Sequence, residues 1–200
     1  MTELVAVSIY FLLWVSFGAG HSLLATTAIR KRVARRIGAF ERLAYNGIAV
    51  IHLALVLLGG AWLLGRAPTF DMPIGVRLLF GIAQALGLLG VAFALREYDI
   101  GRFAGLTQIR EGATELSDLP DEPFVVTGLH RYVRHPLYAA SILFLIGGST
   151  SLLGLTTAIF AAAYFVIGMK FEDRKLARLY GDPYQTYRAR TPAIIPYWRL

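Results

Sequence analysis

Two hundred residues, 56% of them hydrophobic and only 16% charged, with a mean hydropathy of +0.55, exclude an ordinary soluble domain and point to a bilayer. The net charge of +7 would suit nucleic acid if the basic residues shared one soluble surface, but they cluster between apolar runs, so no nucleic-acid partner is expected. With no cysteine, disulfides, thiolate zinc sites, iron–sulfur clusters and covalent c-type haem attachment are excluded; metal chemistry would rest on His and carboxylates, and no metal site is expected.

Leu4 to Ala25 is the first apolar run. It lacks the basic leader of a signal peptide, and its 22 uncharged residues suffice for a crossing of roughly 30 Å, so it reads as the first transmembrane helix. Leu43 to Gly65 (23 residues) and Leu78 to Leu95 (18 residues) are the second and third. The acidic stretch Glu111 to Glu122, with Pro120 inside it and Pro123 after it, reads as an irregular loop. Leu137 to Met169 is 33 residues without a charge, about 50 Å as one helix, and must fold back on itself. Gly147-Gly148-Ser149-Thr150-Ser151 is the expected turn, leaving a short first arm and a second arm from Leu152 to Met169. The expectation is an all-α integral membrane protein of about five spans, the last two a helical hairpin. It reads as a single domain over 1–200, with three spans in 1–95 and a cytoplasmic loop, hairpin and C-terminal helical site in 96–200.

Orientation follows from the basic residues. Residues 30–42, 96–136 and 170–200 hold 18 Lys and Arg, whereas 66–77 and the hairpin tip hold 2, which puts the N-terminus outside and the C-terminus in the cytoplasm. The long cytoplasmic connections are where chemistry is expected.

Two stretches are rich in chemically useful side chains. Thr127 to Tyr138 carries two His, two Arg and two Tyr where a loop enters the membrane. Pro136 suits a first helical turn, so His135 and neighbouring N–H groups lie at an anion-favouring N-terminus; the plainer reading is an interfacial belt of Arg and Tyr. The second stretch runs from Glu172-Asp173 through Tyr180, Tyr184, Tyr187 and Arg190 to Pro196. Gly181 is suited to closing one helix, and Asp182, Pro183 and Gln185 to an N-cap, first-turn proline and capping box of a short second one. That helix places Tyr184, Tyr187 and Arg190 at intervals of three. The plainer reading is a juxtamembrane helix on anionic lipid.

Arg134-His135-Pro136-Leu137-Tyr138, then Glu172-Asp173-x-x-Leu176, Tyr180-Gly181-x-x-Tyr184-x-x-Tyr187, Arg190 and Ile195-Pro196, resembles the pattern of the isoprenylcysteine carboxyl methyltransferase and phospholipid methyltransferase superfamily. His21-Ser22-Leu23-Leu24-Ala25 and Glu41-Arg42-x-x-Tyr45 resemble its bacterial branches, those of methanethiol S-methyltransferase and NnrU. Departures are His130 in place of the family's Tyr, Asp173 as the second acid of an E-E pair, and Ala140 in place of Gly. The resemblance implies a methyltransferase of the bacterial inner membrane. It implies S-adenosylmethionine in a cytoplasmic pocket, and an acceptor that is lipophilic or a small thiol or carboxylate.

The residues make chemical sense of that implication. Glu172 can accept from ammonium or hydroxyl groups, Arg134 and His135 can hold a carboxylate, and Tyr184 or Tyr187 can face a sulfonium. Tyr132, Pro136 and Tyr138 complete the expected cofactor set, Arg190 is expected to orient an anionic nucleophile, and His21 and His130 are assigned to the substrate mouth. Alternatives stay open: a non-catalytic scaffold or transport accessory, or a membrane haem held by His21 and His52. No G-x-G-x-x-G follows a strand-like segment, Gly87 and Gly90 read as a helix-packing feature, and Asn46 and Gln84 as interhelical hydrogen-bonding residues.

Overall fold

The computed structural model describes residues 2–112 and 124–196. The acidic loop expected over 111–122 therefore lies, from residue 113 on, outside the described residues. The elements, in order, are α1 (Glu3–Leu24), α2 (Thr27–Ile37), a 3₁₀ turn (Gly38–Phe40), α3 (Glu41–Leu64), α4 (Ile74–Leu95), α5 (Ile100–Ala104), α6 (Leu106–Arg110), a second 3₁₀ turn (Gly128–Arg131), α7 (Pro136–Gly147), α8 (Leu152–Tyr180) and α9 (Asp182–Arg190). The fold is all-α among the described residues. Four helical stretches are long and apolar enough to cross a membrane: α1, the continuous 27–64 stretch that contains α3, α4 and α8. Helix α7, with 12 residues, is about 18 Å long and falls short of a 30 Å core by itself.

The chain forms two compact units that interleave along the sequence, Met1–Arg66 with Tyr98–Glu122, and Ala67–Glu97 with Pro123–Leu200. In the first, α1 and α3 run antiparallel. Tyr10 lies against Gly60 near one end of the pair, and the His21 ring nitrogen Nε2 lies 2.6 Å from the Tyr45 hydroxyl at the other. Between them Ser16 Oγ meets His52 Nε2 at 3.1 Å. Both intramembrane imidazoles are thus engaged by hydroxyls of the neighbouring helix, which removes the cost of a bare polar group in hydrocarbon. Asn46 donates to the Phe103 carbonyl at 2.8 Å, an interhelical bond of the kind expected of it.

In the second unit, α4 and α7 run antiparallel at a distance that only glycine permits. A Cβ on Gly87 would fall on the Phe144 backbone nitrogen, and one on Gly147 on the Gln84 backbone. Gly90 faces Ala140 across the same seam. Small residues let helices approach where apolar lipid provides no hydrophobic drive. Beyond Gly147 the chain does not stop short: the Phe70 N–H donates to the Thr150 carbonyl at 2.9 Å, and Thr69 bridges Ser151. Residues 136–151 thereby accompany α4 over its length. The Ser151 side chain then caps α8, accepting from Gly154 N–H at 3.1 Å.

Helix α8 continues unbroken past its apolar part, 152–169, for a further three turns to Tyr180. Gly181, at φ +60°, ends it and starts α9 at once, so Asp182 is the first residue of α9 and not its N-cap; no side chain caps that end. The expected cap is displaced because a glycine with left-handed φ turns the chain sharply enough to serve both helices.

Candidate active site

The site assembles on three elements of the second unit. The first is the segment before α7, whose backbone is pinned to the chain after α9: Arg134 N–H donates to the Pro192 carbonyl at 2.9 Å, and His135 N–H to that of Ala193 at 3.0 Å. Pro136 occupies the first turn of α7 as expected and keeps His135 out of the helical region, at φ −124° and ψ 66°, where its N–H makes this pairing. The second is the polar end of α8, carrying Glu172 and Asp173. The third is α9, which brings Tyr184 and Tyr187.

These elements converge on Asp173, 5% exposed. Its carboxylate accepts from Arg134 Nη2 at 2.8 Å, from His135 Nε2 at 2.9 Å and from the Tyr184 hydroxyl at 2.5 Å, with Arg134 Nε at 3.4 Å. Arg188 Nε stands 4.0 Å away. Arg134 spends its remaining nitrogen, Nη1, on the carbonyls of Thr191 (2.5 Å) and Arg188 (3.3 Å). The carboxylate that Arg134 and His135 hold is therefore the protein's own, where an external one was expected. The reason is geometric: Asp173 points into the cluster and Glu172, one residue and about 100° away around the helix, points past it.

Glu172 is the open acid. Its side chain is 41% exposed, and Oε2 stands 3.6 Å from His135 Nδ1. The Tyr138 ring stacks on His135 (5.5 Å between centroids, 10°) and on Phe165 (5.3 Å, 18°), making an aromatic wall beside it. A carboxylate faces each ring nitrogen of His135, an arrangement that favours its doubly protonated form. Burial alone lowers its pKa, but the hydrogen bonds to Asp173 and Glu172 outweigh it, and the net value lies above that of an ordinary histidine. Burial, and then the bond to Asp173, push the Tyr184 hydroxyl up, so it remains a donor.

The sign of the resulting pH dependence follows. A raised folded-state pKa contributes stability that is complete below the unfolded value near 6.5 and is lost as pH rises through the folded value. The thermal unfolding temperature of the detergent-solubilised protein is therefore expected to fall as pH rises above about 6.5, and to fall less in His135→Gln. Parallel pH profiles of the two proteins would refute this.

Around the hub, Phe124 sits among Tyr180, Tyr184 and Tyr187, with centroids 5.3, 5.7 and 5.5 Å away. The Tyr187 hydroxyl donates to the His130 carbonyl at 2.6 Å. His130 Nδ1 lies 3.1 Å from the Arg134 carbonyl, an acceptor, so that nitrogen carries the proton. Glu97, at the end of α4, accepts from Leu129 N–H at 2.8 Å and so ties the 3₁₀ turn below Arg134 to the bundle. A Cβ on Gly128 would fall on that carboxylate. Glu97→Ala is expected to raise the cofactor-product dissociation constant about 3- to 10-fold, because a freed turn must be ordered on binding, while Glu97→Gln, which keeps an acceptor oxygen, stays near wild type. Equal affinities in all three proteins would show that the turn needs no tether.

Of the residues expected at the site, the structure brings together His130, Arg134, His135, Pro136, Tyr138, Glu172, Tyr184 and Tyr187. Tyr184, 1% exposed, positions Asp173 and has no free ring face. Tyr132 projects from the adjoining turn, 64% exposed. Arg190 is exposed at the last residue of α9, outside the cluster. His21 belongs to the first unit and is bonded to Tyr45. Asp173 itself, as the hub, and Glu97 and Phe124 were not foreseen. Only Asp173 left a signal, as the second acid of the pair.

With this geometry in place, comparison with known proteins becomes informative. Methanethiol S-methyltransferase 2 of Bradyrhizobium diazoefficiens is 30% identical over 200 residues, spanning 96% of this chain and 73% of the relative. The chain belongs to the isoprenylcysteine carboxyl methyltransferase superfamily. The methanethiol S-methyltransferase of Crocosphaera subtropica is 28% identical over 190 residues, spanning 90% of this chain and 71% of that protein. The protein-S-isoprenylcysteine O-methyltransferase of Schizosaccharomyces pombe is 32% identical over 81 residues, 38% of this chain and 34% of its own. No family model matches the chain, and no solved structure matches it with significance. The superfamily relatives are methyltransferases, and the four apolar helical stretches make this an integral membrane protein.

Proposed function

We propose that the protein transfers a methyl group from S-adenosylmethionine to a small thiol at the cytoplasmic face of the membrane. The observation that carries the reading is the convergence of Arg134, His135, Asp173 and Tyr184 into one buried, fully paired cluster, with the acid Glu172 left open beside an aromatic wall. The residues present fit the cofactor. A half-open carboxylate suits its ammonium or ribose hydroxyls, and the faces of Tyr132 and Tyr187 suit its sulfonium or ring. Bound S-adenosylmethionine would supply an electrophilic methyl carbon on a cationic sulfur.

The protein's own contribution is alignment and proton handling. Arg134, His135 and Asp173 lock the end of α7 to α8 and α9, so that groups on the three elements keep fixed separations. A thiol acceptor must lose its proton, and Glu172, half-exposed beside His135, is assigned to take it. Arg190 is assigned to orient the thiolate that this proton transfer leaves. A thiol is preferred over a prenylated carboxylate because the relatives that span nearly all of this chain are named for methanethiol, whereas the one named for an isoprenylcysteine matches only 81 residues.

The proposed orientation has the N-terminus outside, the C-terminus and the site in the cytoplasm, and five crossings in the bacterial inner membrane. It is supported by the 18 basic residues on alternate connections. The fit of residues 136–151 along the length of α4 supports α7 with its turn as the short crossing.

Calorimetric titration of the purified protein with S-adenosylhomocysteine tests the reading. Wild type should bind, Glu172→Ala should bind at least about 10-fold more weakly, and Arg190→Ala should bind normally while losing about 10-fold in kcat/KM toward a thiol. A folded wild type that binds nothing would sink the proposal and favour a non-catalytic scaffold.

A further inference from the structure

Helix α2 connects the same-side ends of the antiparallel α1 and α3. Its 11 residues follow the end of α1 by two residues and precede the second span by one 3₁₀ turn. It does not continue α3 in a straight line. Arg30 reaches Glu41 with two nitrogens, Nε to Oε1 at 2.8 Å and Nη2 to Oε2 at 2.9 Å. Eleven residues of straight helix would separate their Cα atoms by about 16 Å, so the chain must turn between them, and Gly38 at φ +56° provides the turn. The helix therefore lies across the end of the α1–α3 pair, at the level where a bilayer presents its headgroups.

Its two faces differ. Ile29, Val33 and Ala34 turn toward the protein, whereas Lys31, Arg32, Arg35 and Arg36 are exposed. The helix contains no acid, and the nearest one in sequence, Glu41, is buried and consumed by Arg30. Among the described residues, none of the four exposed cations has an acidic partner. Lys31–Arg35 and Arg32–Arg36 are like-charged pairs four apart, which destabilise a helix unless a counter-charge sits over them. Arg35 and Arg36 gain from the helix dipole at the last turn, but Lys31 and Arg32, mid-helix, gain nothing from it.

We infer that α2 is a docking surface for anionic phospholipid headgroups, with the four basic side chains engaging lipid phosphates while Ile29 and Val33 anchor the opposite face. Basic residues held at a membrane surface attract anionic lipid, and an ammonium and three guanidiniums in two helical turns place several such charges within one headgroup cluster. This surface is distinct from the methyl-transfer site and does not depend on that reading.

Native mass spectrometry of the full-length protein, delipidated in neutral detergent and offered equal phosphatidylglycerol and phosphatidylcholine, tests it. Wild type should carry phosphatidylglycerol in at least about fivefold preference, falling as salt is raised, and K31Q/R32Q/R35Q/R36Q should show a ratio near one. If the fourfold variant does not fold, K31Q/R35Q should show an intermediate ratio. The control K170Q/R174Q/K175Q/R178Q, at the end of α8, should keep the preference. A wild-type ratio near one, a preference that survives loss of the α2 charges, or one lost in the α8 control would each overturn the assignment.

Discussion

Asp173→Ala is expected to be the most damaging single substitution in the site, costing about 3–5 kcal/mol of stability and removing detectable cofactor-product binding. The reason is what it leaves behind. Arg134, with its side chain 10% exposed, would keep its charge with only two carbonyls for company, the buried His135 would lose its Nε2 acceptor, and the Tyr184 hydroxyl would face a void. Breaking a buried pair is costlier than never having built it, because the remaining charge is desolvated without compensation. Asp173→Glu retains the charge and is expected to recover part of the loss, its extra methylene displacing the carboxylate from three donors set for the shorter side chain. Chemical denaturation in detergent, read by circular dichroism, gives the stability, and calorimetry the binding. If Arg134→Ala and Asp173→Ala each cost that much, the double variant should cost far less than their sum, since the two share one interaction. Additive losses would mean that the cluster is not a unit.

The second large effect is expected far from any charge. Gly87→Ala should cost about 1–3 kcal/mol, and Gly87→Leu should prevent folding, because the added carbon falls on the backbone of α7 at Phe144 and not on a side chain that could swing away. Gly81, also on α4, has nothing within 4 Å of its built Cβ, so Gly81→Ala should be neutral or stabilising. Comparing melting temperatures of the two alanine variants in the same detergent separates helix propensity from the seam. Equal melting temperatures would show that α4 and α7 can part without cost.

Much of the organisation was legible in the chain. Long charge-free runs fall in α1, α3, α4 and α8 because in a bilayer the backbone must satisfy itself and the side chains need only be apolar, conditions that leave a plain signature in composition. Pro136 and Gly181 marked helix boundaries through local sterics, and both stand where that reasoning placed a boundary. Asn46 and the Gly87–Gly90 pair were recognisable as packing residues for the same reason: polar or very small side chains inside an apolar helix need a neighbour.

The roles of individual site residues were less legible. Which of two adjacent acids is buried depends on the rotation of α8 relative to α7 and α9, a quantity with no local sequence signature, so Glu172 drew the attention that Asp173 shares. Nor could spacing reveal that Arg134 and His135 face inward onto that acid, or that Glu97, 32 positions before Leu129, tethers the turn beneath them. The break between α7 and α8 was legible by contrast: Gly147-Gly148-Ser149-Thr150-Ser151 reads as a turn from its small and polar residues, and α7 ends at Gly147 and α8 begins at Leu152.

By itself, then, the sequence determined the all-helical membrane class, the apolar stretches and the family, since each rests on composition, local sterics or residue order. Tertiary structure alone decided which carboxylate is buried and which stays open, because that choice is made by contacts between residues dozens of positions apart.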